Sequence, residues 1–500
     1  MDYNKWNKHL FKLPYILRSN YHYIWVIFFF ILNGYNQQSQ EIFFWDLLIL
    51  FATLTGISFV LFLIIRRLTG SLEKAGIFTS ISTITILFFG VLQDLLGSSK
   101  LLAQLSSLPF YLSFIFCSLI LLFAWIKRTK LSFRRAKIFL NLLFLVYIFI
   151  ECLMLIGGLV PVFAKTQDSI SKKLCNGCSK PDVYLIILDE YFGTSGLRKY
   201  FKYDNSVFEH FLKLNGFKVI ADSKSNYDLT LFSMASMLNM DYLRDVSKPV
   251  LKDRFAYVKA MAAIENNAVS KNFMEKGYKI INRSIFNLKN SPAPYSSGLL
   301  PDGTELINSK TLYYRVSKNL PYFLARHNIR RFVERQENNS ILANQNKLSE
   351  TLIQAKGKDS VPIFTYVHLL MPHKPYSFDS SGIHTTPYWE QRAFSYQEAD
   401  EAYLQYLIYC NKVIARFVKN LLKATNGEAV IILMSDHGYR SASVHGDKEL
   451  LYEVLNAVYL PGFKEFGGYD GMSNVNQFRI LLNNLFHEKR EILKDSIVRN

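Results

Sequence analysis

Five long apolar runs dominate the first third of the chain, at 21–35, 41–65, 75–96, 108–126 and 137–160. The last four approach or exceed the ~20 residues that a helix needs to cross a bilayer core. The first, YHYIWVIFFFILNGY, is shorter; no small-residue cleavage site follows it, so it reads as a span and not as a removed signal. Beyond about residue 180 the period changes. Short apolar runs, DVYLIIL (182–188), GFKVI (216–220), GYKII (277–281), IFTYVHL (363–369), AVIILM (429–434) and NAVYLPG (456–462), alternate with amphipathic stretches such as 398–422. Strands separated by helices predict an α/β domain with a mostly parallel sheet flanked by helices. The polar segment 335–360 reads as a solvated helix or a loose connection.

Charge placement orients the apolar part. Lys5, Lys8, Lys12 and Arg18 precede the first run, and Arg66, Arg67 and Lys74 follow the second. Lys127, Arg128, Lys130, Arg134, Arg135 and Lys137 lie between the fourth and fifth runs, whereas 36–41 and 97–107 carry only Lys100. Five spans put every basic cluster on one side, as the positive-inside rule requires. The expected organisation is an α-helical membrane domain over 1–160, a linker over 161–180 and an exported domain over 181–500. That is a multi-pass protein of the cell (inner or cytoplasmic) membrane, with its large domain on the periplasmic or extracellular side. The net charge of +18 then needs no nucleic acid: part of it sets topology, and no basic–aromatic alternation suited to single strands occurs.

Cysteine usage adds one expectation. Cys117 and Cys152 fall inside spans and Cys410 inside a helical pattern, while Cys175 and Cys178 form a lone C-x-x-C in the linker. A local disulfide on the oxidising side is the favoured reading. A single C-x-x-C is poor evidence for zinc, and the βαβ context of a redox motif is missing.

The chemistry collects at strand ends. VIILMSDHGYR (430–440) is an aliphatic run that stops in Ser-Asp-His-Gly, and ligands of open α/β sheets gather outside the carboxyl ends of strands. Asp436 and His437 are a carboxylate–imidazole pair of the kind that binds metal, with Gly438 allowing a sharp turn. YLIILDEY puts Asp189 and Glu190 at the end of a second buried strand. SNYDLTLFSMASMLNMDYL (225–243) sets Thr230 at the front of a helix, where backbone N–H groups favour an anion. VHLLMPHKPY (367–376) supplies His368 and His373, and SASVHGD supplies His445. Each has a bland alternative, as helix cap, turn residue or exposed loop. Together they suit one chemistry, in which a divalent cation activates the threonine hydroxyl to attack a phosphoryl or sulfuryl centre and form a covalent ester.

The order LIILDE, TLFSMASMLN, PHKPY, SDHG and HG resembles the sulfatase branch of the alkaline phosphatase superfamily. It is particularly similar to membrane-anchored lipoteichoic acid synthases and phosphoethanolamine transferases. The resemblance implies an alkaline-phosphatase/sulfatase-like fold, with metal held by Asp189, Thr230, Asp436 and His437 and with Thr230 as nucleophile. It implies that His373 and His445, with His368 as a further candidate, contact the transferred group. Glu190 stands where sulfatases carry a second acidic ligand. Zinc or manganese is favoured by the imidazole, calcium being the alternative. A membrane lipid would be the donor, and an envelope lipid or glycan the acceptor. The departures matter too: sulfatases modify a Cys or Ser within C/S-x-P-x-R, whereas here the segment is Thr230-Leu-Phe-Ser-Met, without Pro or Arg. Formylglycine cannot form from threonine, which favours phospho-alcohol transfer or phosphoester hydrolysis over ordinary sulfatase action. The rival readings are a hydrolase of another sulfate or phosphate ester and a non-catalytic envelope protein retaining the fold. The topology is testable directly. A reporter fused to the carboxyl terminus is expected to be active only outside the cytoplasm, and activity confined to the cytoplasm would overturn the five-span count.

Overall fold

The structure, a computed structural model, describes residues 14–37, 44–98, 103–158, 180–243, 254–294, 304–327, 329–357, 361–385, 387–391, 394–441, 448–462 and 466–499. Cys175, Cys178 and His445 lie outside the described residues. The chain forms two compact units, residues 1–168 with 296–323 and residues 169–295 with 324–500.

In the first unit each apolar run folds as helix: α1 (His22–Gln37), α2 (Phe44–Thr69), α3 (Leu72–Leu87) with α4 (Phe89–Ser98), α5 (Leu108–Arg128) and α6 (Arg134–Gly158). Among the described residues three helices, within α2, α5 and α6, are long and apolar enough to cross a membrane. The pair α3–α4, bent by 54°, passes the same test only if taken as one broken span. The 16 residues of α1 reach about 24 Å at 1.5 Å per residue, short of a hydrocarbon core of about 30 Å. Apolar side chains cover the outside of α5 and α6: Phe114, Phe116, Leu121, Phe139, Phe149 and Met154 are all largely exposed. Water would penalise such a surface, and lipid solvates it. The unit is a membrane anchor. Some of its buried polar groups pair within it. Glu151 accepts from Asn33 (2.6 Å) and Asn36 (2.7 Å), and Lys137 pairs with Glu73 at 3.1 Å.

Residues 304–323, expected in the exported part, group with this unit instead. The Gly90 N–H donates to the Lys310 carbonyl at 2.6 Å. Ile307 is buried in the helical core and packs so closely on Gly34 that a Cβ there would lie 2.8 Å from it. Asp94 of α4 receives Arg315 on both carboxylate oxygens at 2.9 Å, and Lys310 besides.

The second unit is a six-stranded sheet in the order β2-β6-β5-β1-β4-β3. Its strands are β1 (Val183–Leu188), β2 (Lys218–Val219), β3 (Lys279–Arg283), β4 (Ile363–Leu369), β5 (Val430–Ser435) and β6 (Asn456–Tyr459). The β3, β4, β1 and β5 strands run parallel, and β6 with β2 makes an antiparallel edge. This is the mostly parallel α/β architecture that the sequence implies. The continuous apolar runs follow from burial on both faces. Val183, Leu185 and Ile187 face one core with α7 (Thr230–Asn239) and α10 (Gln477–Phe486). Tyr184, Ile186 and Leu188 face a second core. That core is built on α9 (Tyr396–Ala424) and flanked by Leu348 and Leu352 of α8 (Arg331–Lys356). The start of α9 is fixed by a capping box between Ser395 and Glu398. The polar segment 335–360 falls mostly within α8.

Register sets up the site. Leu188 pairs with Leu369 of β4 on one side and Ser435 of β5 on the other. The three central strands therefore end level, and the residues that follow, Asp189 and Asp436, emerge side by side.

Candidate metal centre

Asp189, Asp436 and His437, all buried, offer ligand atoms that lie within 4.8 Å of one another. Each is held by its own neighbourhood. The Asp189 N–H donates to the Leu369 carbonyl at 3.0 Å, extending the ladder by one step. One oxygen of Asp436, Oδ1, accepts the N–H of His437 (2.8 Å) and of Glu190 (3.0 Å). Nδ1 of His437 lies 2.8 Å from the Gly438 carbonyl, which can only accept, so Nδ1 carries the proton. Nε2 is then the ring nitrogen that would present a lone pair to a cation.

Thr230 is the first residue of α7, and its Oγ1 lies 3.2 Å from His437 Nε2. One turn on, Ser233 donates to the Asp436 carbonyl at 2.5 Å, fastening the helix to the end of β5. Arg440, which the sequence reading passed over, completes the group. Its Nη2 lies 2.7 Å from His437 Nε2 and 3.5 Å from Thr230 Oγ1. Nothing in a lone arginine two residues beyond SDHG marks it; only the return of the chain toward α7 brings it in.

The histidines of the 367–376 segment divide. His368 is fully buried in β4, with Nδ1 2.9 Å from the Tyr366 hydroxyl and Nε2 3.5 Å from Asp189. It backs the carboxylate from behind. His373 lies 3.8 Å from Glu190 and 2.7 Å from the Lys374 carbonyl, between two cis X-Pro bonds. Glu190 stands outside the close-packed ligand group. It takes a left-handed φ of 63°, held by the Tyr403 hydroxyl on its carbonyl (2.8 Å), and its carboxylate accepts the Arg440 N–H (2.9 Å). The reading of Gly438 as a turn residue needs revising. Its φ is not positive; instead the backbone of 450–453 crosses so near that a Cβ would meet three carbonyl oxygens at 2.7–2.9 Å.

Electrostatics concentrate at Asp189. Burial pushes its pKa up, but His368, His373 and His437 outweigh this and hold it well below the usual carboxylate range. Burial lowers the pKa of His373, yet Asp189 and Glu190 overcome that and raise it. Lys347 of α8, donating to the His368 carbonyl at 2.7 Å, is lowered to about 8, mainly by burial.

Whether these residues suit a metal can be judged from their unmet valences. Asp189 Oδ1 and Asp436 Oδ2 are buried without a hydrogen-bond partner among the described residues. An unmatched buried polar atom costs about 1–3 kcal/mol, more if charged, so two in one cluster need a counter-charge. Two carboxylates and an imidazole nitrogen, whose lone pair Arg440 meets in this structure, are a donor set for zinc or manganese. The set fits.

Residues 293–481 match the family model described as Sulfatase. The match includes His368, His373, Asp436 and His437, while Asp189 and Thr230 precede it. No curated protein matches the chain. Among solved structures, the chain is similar to the C-terminal periplasmic domain of EptC from Escherichia coli in complex with zinc. That likeness has 12% identity, 62% of this chain and 83% of that chain covered, and a TM-score of 0.39. It is similar to the corresponding domain of phosphoethanolamine transferase EptC from Campylobacter jejuni, with 12% identity, 64% and 94% covered, and a TM-score of 0.38. It is also similar to the soluble domain of lipooligosaccharide phosphoethanolamine transferase A from Neisseria meningitidis, with 9% identity, 62% and 89% covered, and a TM-score of 0.37.

The packing at Gly438 gives a direct test. Gly438→Ala presses a methyl group onto three backbone oxygens and is expected to cost about 1–3 kcal/mol. Thermal unfolding of the detergent-purified chain should show a lowered melting temperature, and an unchanged one would refute the close approach.

Proposed function

We propose that the protein is a membrane-anchored, metal-dependent transferase that moves a phospho-alcohol headgroup, of the phosphoethanolamine or phosphoglycerol type, from a membrane phospholipid through Thr230. The acceptor would be an envelope lipid or glycan. The observation that carries this reading is the Thr230 hydroxyl, 3.2 Å from His437 Nε2 and beside two buried carboxylates with unmatched oxygens. Asp189, Asp436, His437 and Thr230 would hold the divalent cation. When bound, it supplies a lowered hydroxyl pKa and draws charge from a phosphoryl oxygen.

The residues then have separate tasks. Thr230 Oγ forms a bond to phosphorus as the bond from phosphorus to the diacylglycerol oxygen breaks, and the hydroxyl proton is lost to solvent. His373, held toward its protonated form by the neighbouring carboxylates, is the candidate donor to the departing oxygen. Arg440 offers a guanidinium to the charge on the transferred group. It takes the part of the Arg missing from the Thr230 segment. In the second half an acceptor hydroxyl attacks the phosphothreonine and restores Thr230. His445 would contact the transferred group, as the family resemblance implies. With water as acceptor the same centre is a phosphoester hydrolase. A threonine nucleophile disfavours the formylglycine route to sulfate esters.

Incubation of the full chain with phosphatidylethanolamine or phosphatidylglycerol vesicles should leave a headgroup phosphate on Thr230, detectable by mass spectrometry. Thr230→Ala should lower turnover by about 10³-fold or more; turnover at the original rate would end the covalent mechanism. Asp436→Ala should lose bound metal on elemental analysis of the purified protein. Arg440 and a cation compete for the same imidazole lone pair. Arg440→Gln is therefore expected to keep or raise metal content while turnover falls about 10²-fold. Loss of metal in that variant would make Arg440 structural.

A further inference from the structure

The stretch 306–333 contains six Lys and Arg residues (Lys310, Arg315, Lys318, Arg326, Arg330 and Arg331) and no Asp or Glu. At its centre, LYYRVSKNLPYFLAR folds as the Leu312–Arg326 helix. Aromatic and aliphatic residues interleaved with basic ones, at low overall hydrophobicity, are the composition of a helix that lies in a membrane interface. It is too polar to cross a bilayer. Its chain position makes this unexpected, because it falls in the connection between β3 and β4 of the exported sheet.

Where the segment is seated supplies the second observation. Residues 304–323 belong to the same compact unit as the membrane helices. The turn before the helix is pinned to α4 by Gly90 and Asp94, and to α1 through Ile307. The surface beside that attachment is apolar: Val91, Leu92 and Leu95 of α4 are 47–67% exposed. Tyr313 and Phe323 of the helix itself are 39% and 40% exposed. An ion pair at Asp94 flanked by exposed leucines, next to exposed aromatic rings, is the sequence of chemistries met on leaving hydrocarbon for the headgroup layer. Aromatic belts and snorkelling cations occupy that layer.

We infer that the Leu312–Arg326 helix is an interfacial membrane helix. Its aromatic residues sit at the boundary of acyl chains and headgroups, and the positive charge of 306–333 in excess of the two cations shared with Asp94 favours an anionic leaflet. The occupant of this surface is thus the lipid layer itself, continuous with the lipid around α4. By the placement of basic loops, that leaflet is the outer one. Contact with lipid does not depend on that assignment, nor on the chemistry proposed for Thr230.

The test uses the full chain in lipid nanodiscs. Tyr313→Trp and Phe323→Trp each add one fluorophore to the native tryptophans, and the added emission is read by difference. Val207→Trp, at a site 82% exposed in the exported unit, is the aqueous control. Lipids brominated near the top of the acyl chain should quench the emission at 313 and 323, whereas iodide in water should quench the emission at 207. Including phosphatidylglycerol should strengthen quenching at 313 and 323 by roughly twofold over pure phosphatidylcholine, an increment lost at high salt. Quenching of 313 and 323 by iodide alone would overturn the inference. Equal quenching in the two lipid compositions would overturn the anionic assignment. Normal metal content and turnover in these variants would show that the centre at Thr230 is intact, separating failure here from failure of the proposed transferase reaction.

Discussion

Two carboxylates buried side by side are the constraint around which the second unit is organised. Burying an ion costs several kcal/mol after relaxation, and one hydrogen bond returns about 1 kcal/mol. The Asp436 oxygen that accepts two N–H groups is compensated; the oxygens of Asp189 and Asp436 that accept none are not. Three imidazoles close to Asp189 supply part of the balance. A cation would supply the rest. The level ends of β1 and β5 are therefore a costly arrangement that a bound charge would offset.

Around this centre, aromatic residues act as rigging. Asp400 of α9 accepts both the Tyr200 (2.7 Å) and the Tyr439 (2.8 Å) hydroxyls. Tyr439 stacks on Tyr403 with centroids 3.9 Å apart, and Tyr403 in turn holds the Glu190 carbonyl. One carboxylate on a long helix so links the segment after β5 to the segment after β1. The geometry of His437 and Arg440 relative to Asp189 thus rests on packing more than 200 residues apart in sequence.

This explains what could be read from the sequence and what could not. The strands were legible because two-sided burial leaves uninterrupted aliphatic runs, and the acids that end them stood out for having no packing reason to be there. Thr230 was legible as a helix-front hydroxyl. Arg440, Asp400 and Lys347 were not, since each is an ordinary polar residue in its local context and gains meaning only through a distant partner. Gly438 was noticed as a turn residue, whereas its lack of a side chain also serves the close approach of the 450–453 backbone, which nothing local shows. The visit of 304–323 to the membrane unit left only a compositional trace, a basic and aromatic tract, with nothing local to say where it docks.

That visit has a practical corollary. A soluble fragment made by a single cut after the last apolar helix would keep Ile307 and the cations that neutralise Asp94, yet strip away the surface that receives them. The orphaned loop would display a buried isoleucine and a tract of positive charge to water, an invitation to self-association. Crystallisation or expression designs for the second unit would do better to excise the loop between β3 and α8 as well, or to keep the anchor attached.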